Sequence, residues 1–154
     1  MKKTLQSVGF MTAVFAVFGI ALGILAYISG SWAQSQLVTD AGGATDFGPV
    51  FIAIAYLQTA VIIFFLGPVI AAVAAAILSS VFPTPKAAFI AGGSASLLGF
   101  YVMSIIALGV LVLSKGANGQ QAFSFGQVLV PMLVAGIPTA IMGSLLSTLA
   151  SALD

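Results

Sequence analysis

Of the 154 residues, 61% are hydrophobic and 5% are charged: Lys2, Lys3, Lys86 and Lys115 against Asp40, Asp46 and Asp154, a net of +1. Soluble domains run near ~45–50% apolar and ~25% charged, so this chain cannot make an ordinary water-facing surface. Four scattered lysines exclude a nucleic-acid patch or a polybasic lipid-binding cluster, and the absence of cysteine excludes disulfides.

The first apolar run, 8–28, follows Lys2 and Lys3. Those lysines resemble the basic start of a signal peptide, and Ser31-Trp32-Ala33 puts small residues at the two positions signal peptidase reads. The run holds 21 uncharged residues, however, whereas a cleavable core has about 7–15. Trp32 also falls where an interfacial aromatic would stand at a membrane rim. The run is expected to be kept as a first transmembrane helix.

A polar loop, 29–49, holds Gly42-Gly43, Asp40 and Asp46, and Pro49 stands where the next helix would start. The second run, 50–82, is too long for a straight span. As one helix it would reach about 50 Å, against a hydrocarbon core of about 30 Å. Gly67-Pro68 divides it, which leaves three readings: one tilted helix kinked at Pro68, two half-helices meeting in the membrane, or two spans turning at Gly-Pro. The single kinked helix is the expectation. Pro83-Thr84-Pro85-Lys86 then breaks the helix, and the third run is 87–114. A second loop, 115–127, carries the turn pair Asn118-Gly119, and the fourth run is 128–151.

Backbone groups in lipid must be paired within the segment, so these runs read as helices; the alternating strands of a barrel are absent. The fold class expected is an all-α integral membrane protein, a bundle of four transmembrane helices forming a single membrane domain over 1–154. Lys2, Lys3 and Lys86 fall on one side and Lys115 on the other. The side richer in lysine faces the cytoplasm, which puts both termini and loop 83–86 there and loops 29–49 and 115–127 outside.

Chemistry is scarce. A nucleophilic Ser or Thr needs a base within reach, and there is no His, while every charged group lies outside the runs. Metal sites need clustered His, Cys, Asp or Glu, and Asp40 and Asp46 are too few. Asp46-Phe47-Gly48 matches a kinase tripeptide by chance, because no other kinase signature accompanies it. Gly92-Gly93-Ser94-Ala95-Ser96 lacks the strand and Lys-Ser/Thr of a phosphate loop. No catalytic, cofactor-binding or metal-binding residue is expected.

Small residues instead recur every four positions, at Gly19 and Gly23, then at Ala87, Ala91, Ala95 and Gly99 beside Gly92 and Ser96, and at Gly136, Ala140 and Ser144. Such faces let helix backbones approach closely in lipid, where the hydrophobic effect does not drive them together. Among the polar groups inside the runs, Gln58 is the costliest to leave unpaired. Gln58, Thr59 and Thr139 are candidates for interhelical bonds or for a polar path, with Pro68 and Pro138 as kinks. Two functions remain open. One is a non-catalytic structural or accessory component of a membrane assembly or envelope, bound to lipid and to itself or other membrane proteins. The alternative is a facilitative channel or carrier for a neutral or hydrophobic solute.

Overall fold

The computed structural model describes residues 2–37, 48–114 and 125–153. They form four helices: α1 (Lys2–Leu37), α2 (Gly48–Leu78), α3 (Pro85–Ser114) and α4 (Phe125–Leu153), with a single 3-10 turn, Ser79–Val81, after α2. All four are long and apolar enough to cross a membrane. Asp40, Asp46, Lys115 and the Asn118-Gly119 turn, in the parts of the two loops at 38–47 and 115–124, lie outside the described residues.

α1, α3 and α4 are each longer than the run that announced them, whereas α2 starts two residues before 50 and stops at Leu78, four residues short of 82. α1 continues nine residues past Ile28 through Ser29, Ser31 and Ser35, a stretch expected as loop. The serines do not end the helix because their hydroxyls bond back to carbonyls of the preceding turn, Leu25, Ile28 and Trp32, at 2.7, 3.0 and 2.8 Å. α2 passes through Gly67-Pro68 as one helix of 31 residues, so neither half-helices nor a hairpin occurs there. It tightens after Leu78 into the 3-10 turn, which ends because Phe82, preceding Pro83, is driven to an extended conformation (φ −89°, ψ 132°). α3 starts two residues earlier than 87, with Pro85 at its first position and Thr84 as its cap. Thr84 Oγ1 accepts from Ala87 N at 3.2 Å, and the Thr84 carbonyl accepts from Ala88 N at 2.9 Å. The connection expected over 83–86 is therefore 79–84, with the 3-10 turn as its first half.

α3 is the centre of the arrangement. On one side Phe15 meets Gly99, Gly19 meets Met103 and Gly23 meets Ala107, so α1 and α3 advance together and are parallel. On the other, Ala88 pairs with Ser147, Gly93 with Ser144 and Tyr101 with Leu133, so α4 is antiparallel. Gly67 lies beside both Phe100 and Thr139, placing α2 against α4 with Phe100 reaching across to it. The starts of α1 and α3 and the end of α4 thus share one end of the bundle. Phe82 is tucked under that end against Ala88 and Ala91, with Val8 and Leu78 beside them.

The distribution of residue types reverses that of a water-soluble bundle. Large apolar side chains cover the outside on every helix, among them Val17, Phe65, Leu113 and Val134. Ser7, Thr59, Ser79, Ser96, Ser104, Thr139, Ser144 and Ser147 are buried. In a bilayer such an outer face would be as well solvated as in a protein core, leaving close packing of small groups to decide what goes inside. Phe15, Phe100, Met11, Ile63 and Met103 are each no more than 1% exposed and fill the bundle interior.

Candidate functional site

The closest helix contacts are between α3 and α4. A Cβ added to Gly92 would overlap Ser147 Oγ and lie 2.7 Å from the Gly143 carbonyl oxygen. One added to Gly93 would overlap Ser144 Oγ, and one added to Gly143 would overlap Ser96 Oγ and lie 2.8 Å from the Gly92 carbonyl oxygen. Each glycine therefore leaves the gap that a serine of the facing helix fills. Ser147 Oγ donates across the interface to the Ala88 carbonyl at 2.8 Å, with the Ser144 carbonyl of its own helix at 3.1 Å. Ser96 Oγ is buried and makes no hydrogen bond. It packs on the Gly143 backbone, where a Cα–H is a weak donor.

The α1–α3 seam works differently. Gly19 would place a Cβ 2.7 Å from the Met103 carbonyl oxygen, and Gly23 one 2.7 Å from Val110 Cβ, while the ring of Phe15 occupies the gap at Gly99. Aromatic rings fill two further glycine gaps. Phe100 packs on Gly67 with Cδ2 2.5 Å from the Cβ position, and Tyr101 packs on Gly136 with its hydroxyl at 2.6 Å. The Tyr101 hydroxyl also donates to the Leu133 carbonyl at 3.3 Å. The rings of Phe100 and Tyr101 are themselves edge-to-face, with centroids 5.8 Å apart.

Gly19, Gly23, Gly92, Ser96, Gly99, Gly136 and Ser144 are all buried and Ala140 is half-buried, with contacts inside the chain. The α3 stripe expected as one face is two faces. The line through Gly99, Met103 and Ala107 addresses α1, and Gly92, Gly93 and Ser96 address α4, because successive residues are turned by about 100° around a helix. Phe15, Phe100 and Tyr101 were missed as contacts, and Gly67 was read only as part of the kink. Gly93, in the small-residue stretch 92–96, and Gly143, flanking Ser144, fall within the packing faces that were expected.

Gln58, Thr59 and Thr139 are not brought together. Thr59 and Thr139 are buried, but Gln58 is exposed on the outer face of α2. With Thr59 turned inward, the same rotation per residue carries Gln58 out. Thr139 Oγ1 donates to the Ala135 carbonyl at 3.1 Å. Likewise Ser104 donates to Phe100 at 2.8 Å and Thr148 to Ser144 at 2.7 Å. These hydroxyl protons are held by carbonyls of their own helices, which satisfies them in an apolar interior. Pro68 is half-buried within α2, and Pro131 and Pro138 lie exposed within α4.

Among the described residues, no group of three or more His, Cys, Asp or Glu is placed to hold a metal ion. The chain matches no family model, and no curated protein or solved structure matches it.

Proposed function

We propose that the chain is an integral multi-pass membrane protein with both termini in the cytoplasm, serving as a non-catalytic structural or accessory subunit of a membrane assembly. The observation that carries the reading is the filled interior. Five large side chains, Phe15, Phe100, Met11, Ile63 and Met103, occupy the space a solute path would need, and glycine–serine contacts bring the flanking backbones together. Four apolar helices with large hydrophobic side chains on their outer faces support membrane insertion. The cytoplasmic assignment rests on the lysine bias, with Lys86 at the end of the bundle where α1 begins after Met1. Within this reading α2 bends at Gly67-Pro68. Proline removes the N–H that would bond the Phe64 carbonyl, and its ring crowds that carbonyl.

Solute flux tests the functional reading. Purified protein is reconstituted in vesicles, and swelling or shrinkage is followed by stopped-flow light scattering with glycerol and urea. The rates expected are those of empty vesicles. A rate that rises in proportion to folded protein would replace the structural reading with the carrier reading.

A further inference from the structure

We infer that the α3–α4 seam has two hydrogen-bonding arrangements: the one described, in which Ser147 donates to the Ala88 carbonyl, and a second in which Ser96 donates to the Thr139 carbonyl. The two helices meet through the same short motif, Gly92-x-x-x-Ser96 on α3 and Gly143-x-x-x-Ser147 on α4. They meet almost symmetrically. A Cβ on Gly92 would overlap Ser147 Oγ and lie 2.7 Å from the Gly143 carbonyl oxygen and 2.8 Å from Ser147 Cβ. A Cβ on Gly143 would overlap Ser96 Oγ and lie 2.8 Å from the Gly92 carbonyl oxygen and 2.7 Å from Ser96 Cβ. A local two-fold axis therefore exchanges the two motifs across the antiparallel pair.

The hydroxyls break this symmetry. Ser147 Oγ donates at 2.8 Å to the Ala88 carbonyl, four residues before the glycine on which Ser147 packs. The equivalent acceptor for Ser96 is the carbonyl four residues before Gly143, that of Thr139. Ser96 is fully buried and its Oγ makes no hydrogen bond. Leaving a buried hydroxyl unpaired is costly, and the local two-fold supplies an acceptor that a small shift of α4 along α3 would bring within reach. Glycine on both sides of the crossing leaves no side chain there to lock the helices in one position. Exchanging one interhelical bond for its symmetry equivalent keeps the number of bonds constant, which is the condition for a packed element with two positions. Thr139 Oγ1 also lies 3.1 Å from the Cβ position of Gly67, so a shift of α4 reaches α2 beside Pro68.

The test compares Ser96→Ala, Ser147→Ala and the double variant in the full-length chain. Each is unfolded reversibly in mixed micelles, with helicity read by circular dichroism. If either hydroxyl can serve the seam, only the double variant is without an interhelical bond. It should lower the folded-to-unfolded ratio about 3- to 20-fold beyond the product of the two single effects, the range of measured polar pairs between membrane helices. Infrared spectroscopy reads the acceptor itself. Threonine with a 13C carbonyl is incorporated, and the Thr139 band is isolated in each background by difference from Thr139→Ser. Ser147→Ala should move that band to lower wavenumber, as for a carbonyl that gains a second donor, and adding Ser96→Ala should return it. A Thr139 band that does not move in Ser147→Ala would overturn the inference. So would additive single effects, the result given by a Ser96 hydroxyl that turns back to the Gly92 carbonyl of its own helix. Failure of Ser147→Ala to fold would also overturn it, because the second arrangement should carry the seam.

Discussion

Gly92→Ala is a one-carbon change that isolates the α3–α4 contact. The new methyl would sit 2.7 Å from the Gly143 carbonyl oxygen and 2.8 Å from Ser147 Cβ, where ordinary contact begins at 3.4 Å. The helices must separate by about 0.7 Å to clear the Gly143 carbonyl, and Ser147 must also leave its position and lose its bond to the Ala88 carbonyl. Overpacking costs about 1–3 kcal/mol and the lost hydrogen bond about 0.5–1.5, while alanine returns about 1 through helix propensity, for a net destabilisation of about 0.5–3.5 kcal/mol. Gly9→Ala is the matched control, since nothing lies within 4 Å of a Cβ there. It keeps the propensity gain without the clash, so it should be neutral or stabilising by up to about 1 kcal/mol. Both variants are unfolded reversibly in mixed micelles by raising the fraction of denaturing detergent, with helicity read by circular dichroism. If Gly92→Ala proves as stable as Gly9→Ala, the backbone-to-backbone account of this interface is refuted.

Three further outcomes follow from the same contacts. Ser147→Ala removes the interhelical donor but leaves the Ala88 carbonyl in its own helix, so it should cost only about 0.5–1.5 kcal/mol in the same titration; a loss above ~3 kcal/mol would mean the hydroxyl does more than this one bond. Gly67→Ala pushes a methyl into the ring of Phe100, 2.5 Å from the Cβ position, and towards Thr139 Oγ1 at 3.1 Å, so it should destabilise by about 1–3 kcal/mol, whereas Gly109→Ala, with open space, should not. In oriented vesicles a membrane-impermeant maleimide should label Lys86→Cys from the cytoplasmic side only, and Pro68→Ala should leave that side unchanged; labelling of Lys86→Cys from outside would invert the topology.

The number of helices was legible because each apolar run exceeds the width of a bilayer core and is punctuated by proline or glycine. The helix ends were not, because serines that look like loop can bond back to the helix, as Ser29, Ser31 and Ser35 do. Four-residue spacing revealed the small-residue faces of α1, α3 and α4. It does not say which face meets which helix, and on α3 two faces one residue apart read as a single stripe. Glycine gaps filled by Phe15, Phe100 and Tyr101 left no local sign, since gap and ring lie on different helices. The direction of Gln58 was hidden for a related reason. α2 is apolar around its whole circumference, so no hydrophobic stripe tells its inner face from its outer one.

The central claim is that the middle of the bundle is filled and dry, and cysteines at its buried hydroxyl positions probe it directly. Ser96→Cys, Ser104→Cys and Thr139→Cys are near-isosteric, and all three sites are no more than 1% exposed. Each variant, reconstituted in vesicles, is exposed to a small water-soluble thiosulfonate from both sides, with the exposed Ser31→Cys as the reactive reference. A filled bundle predicts that Ser31→Cys reacts while the three interior cysteines stay unmodified until detergent unfolds the protein. Modification of Thr139→Cys or Ser104→Cys in intact vesicles would show water at the core and contradict the account.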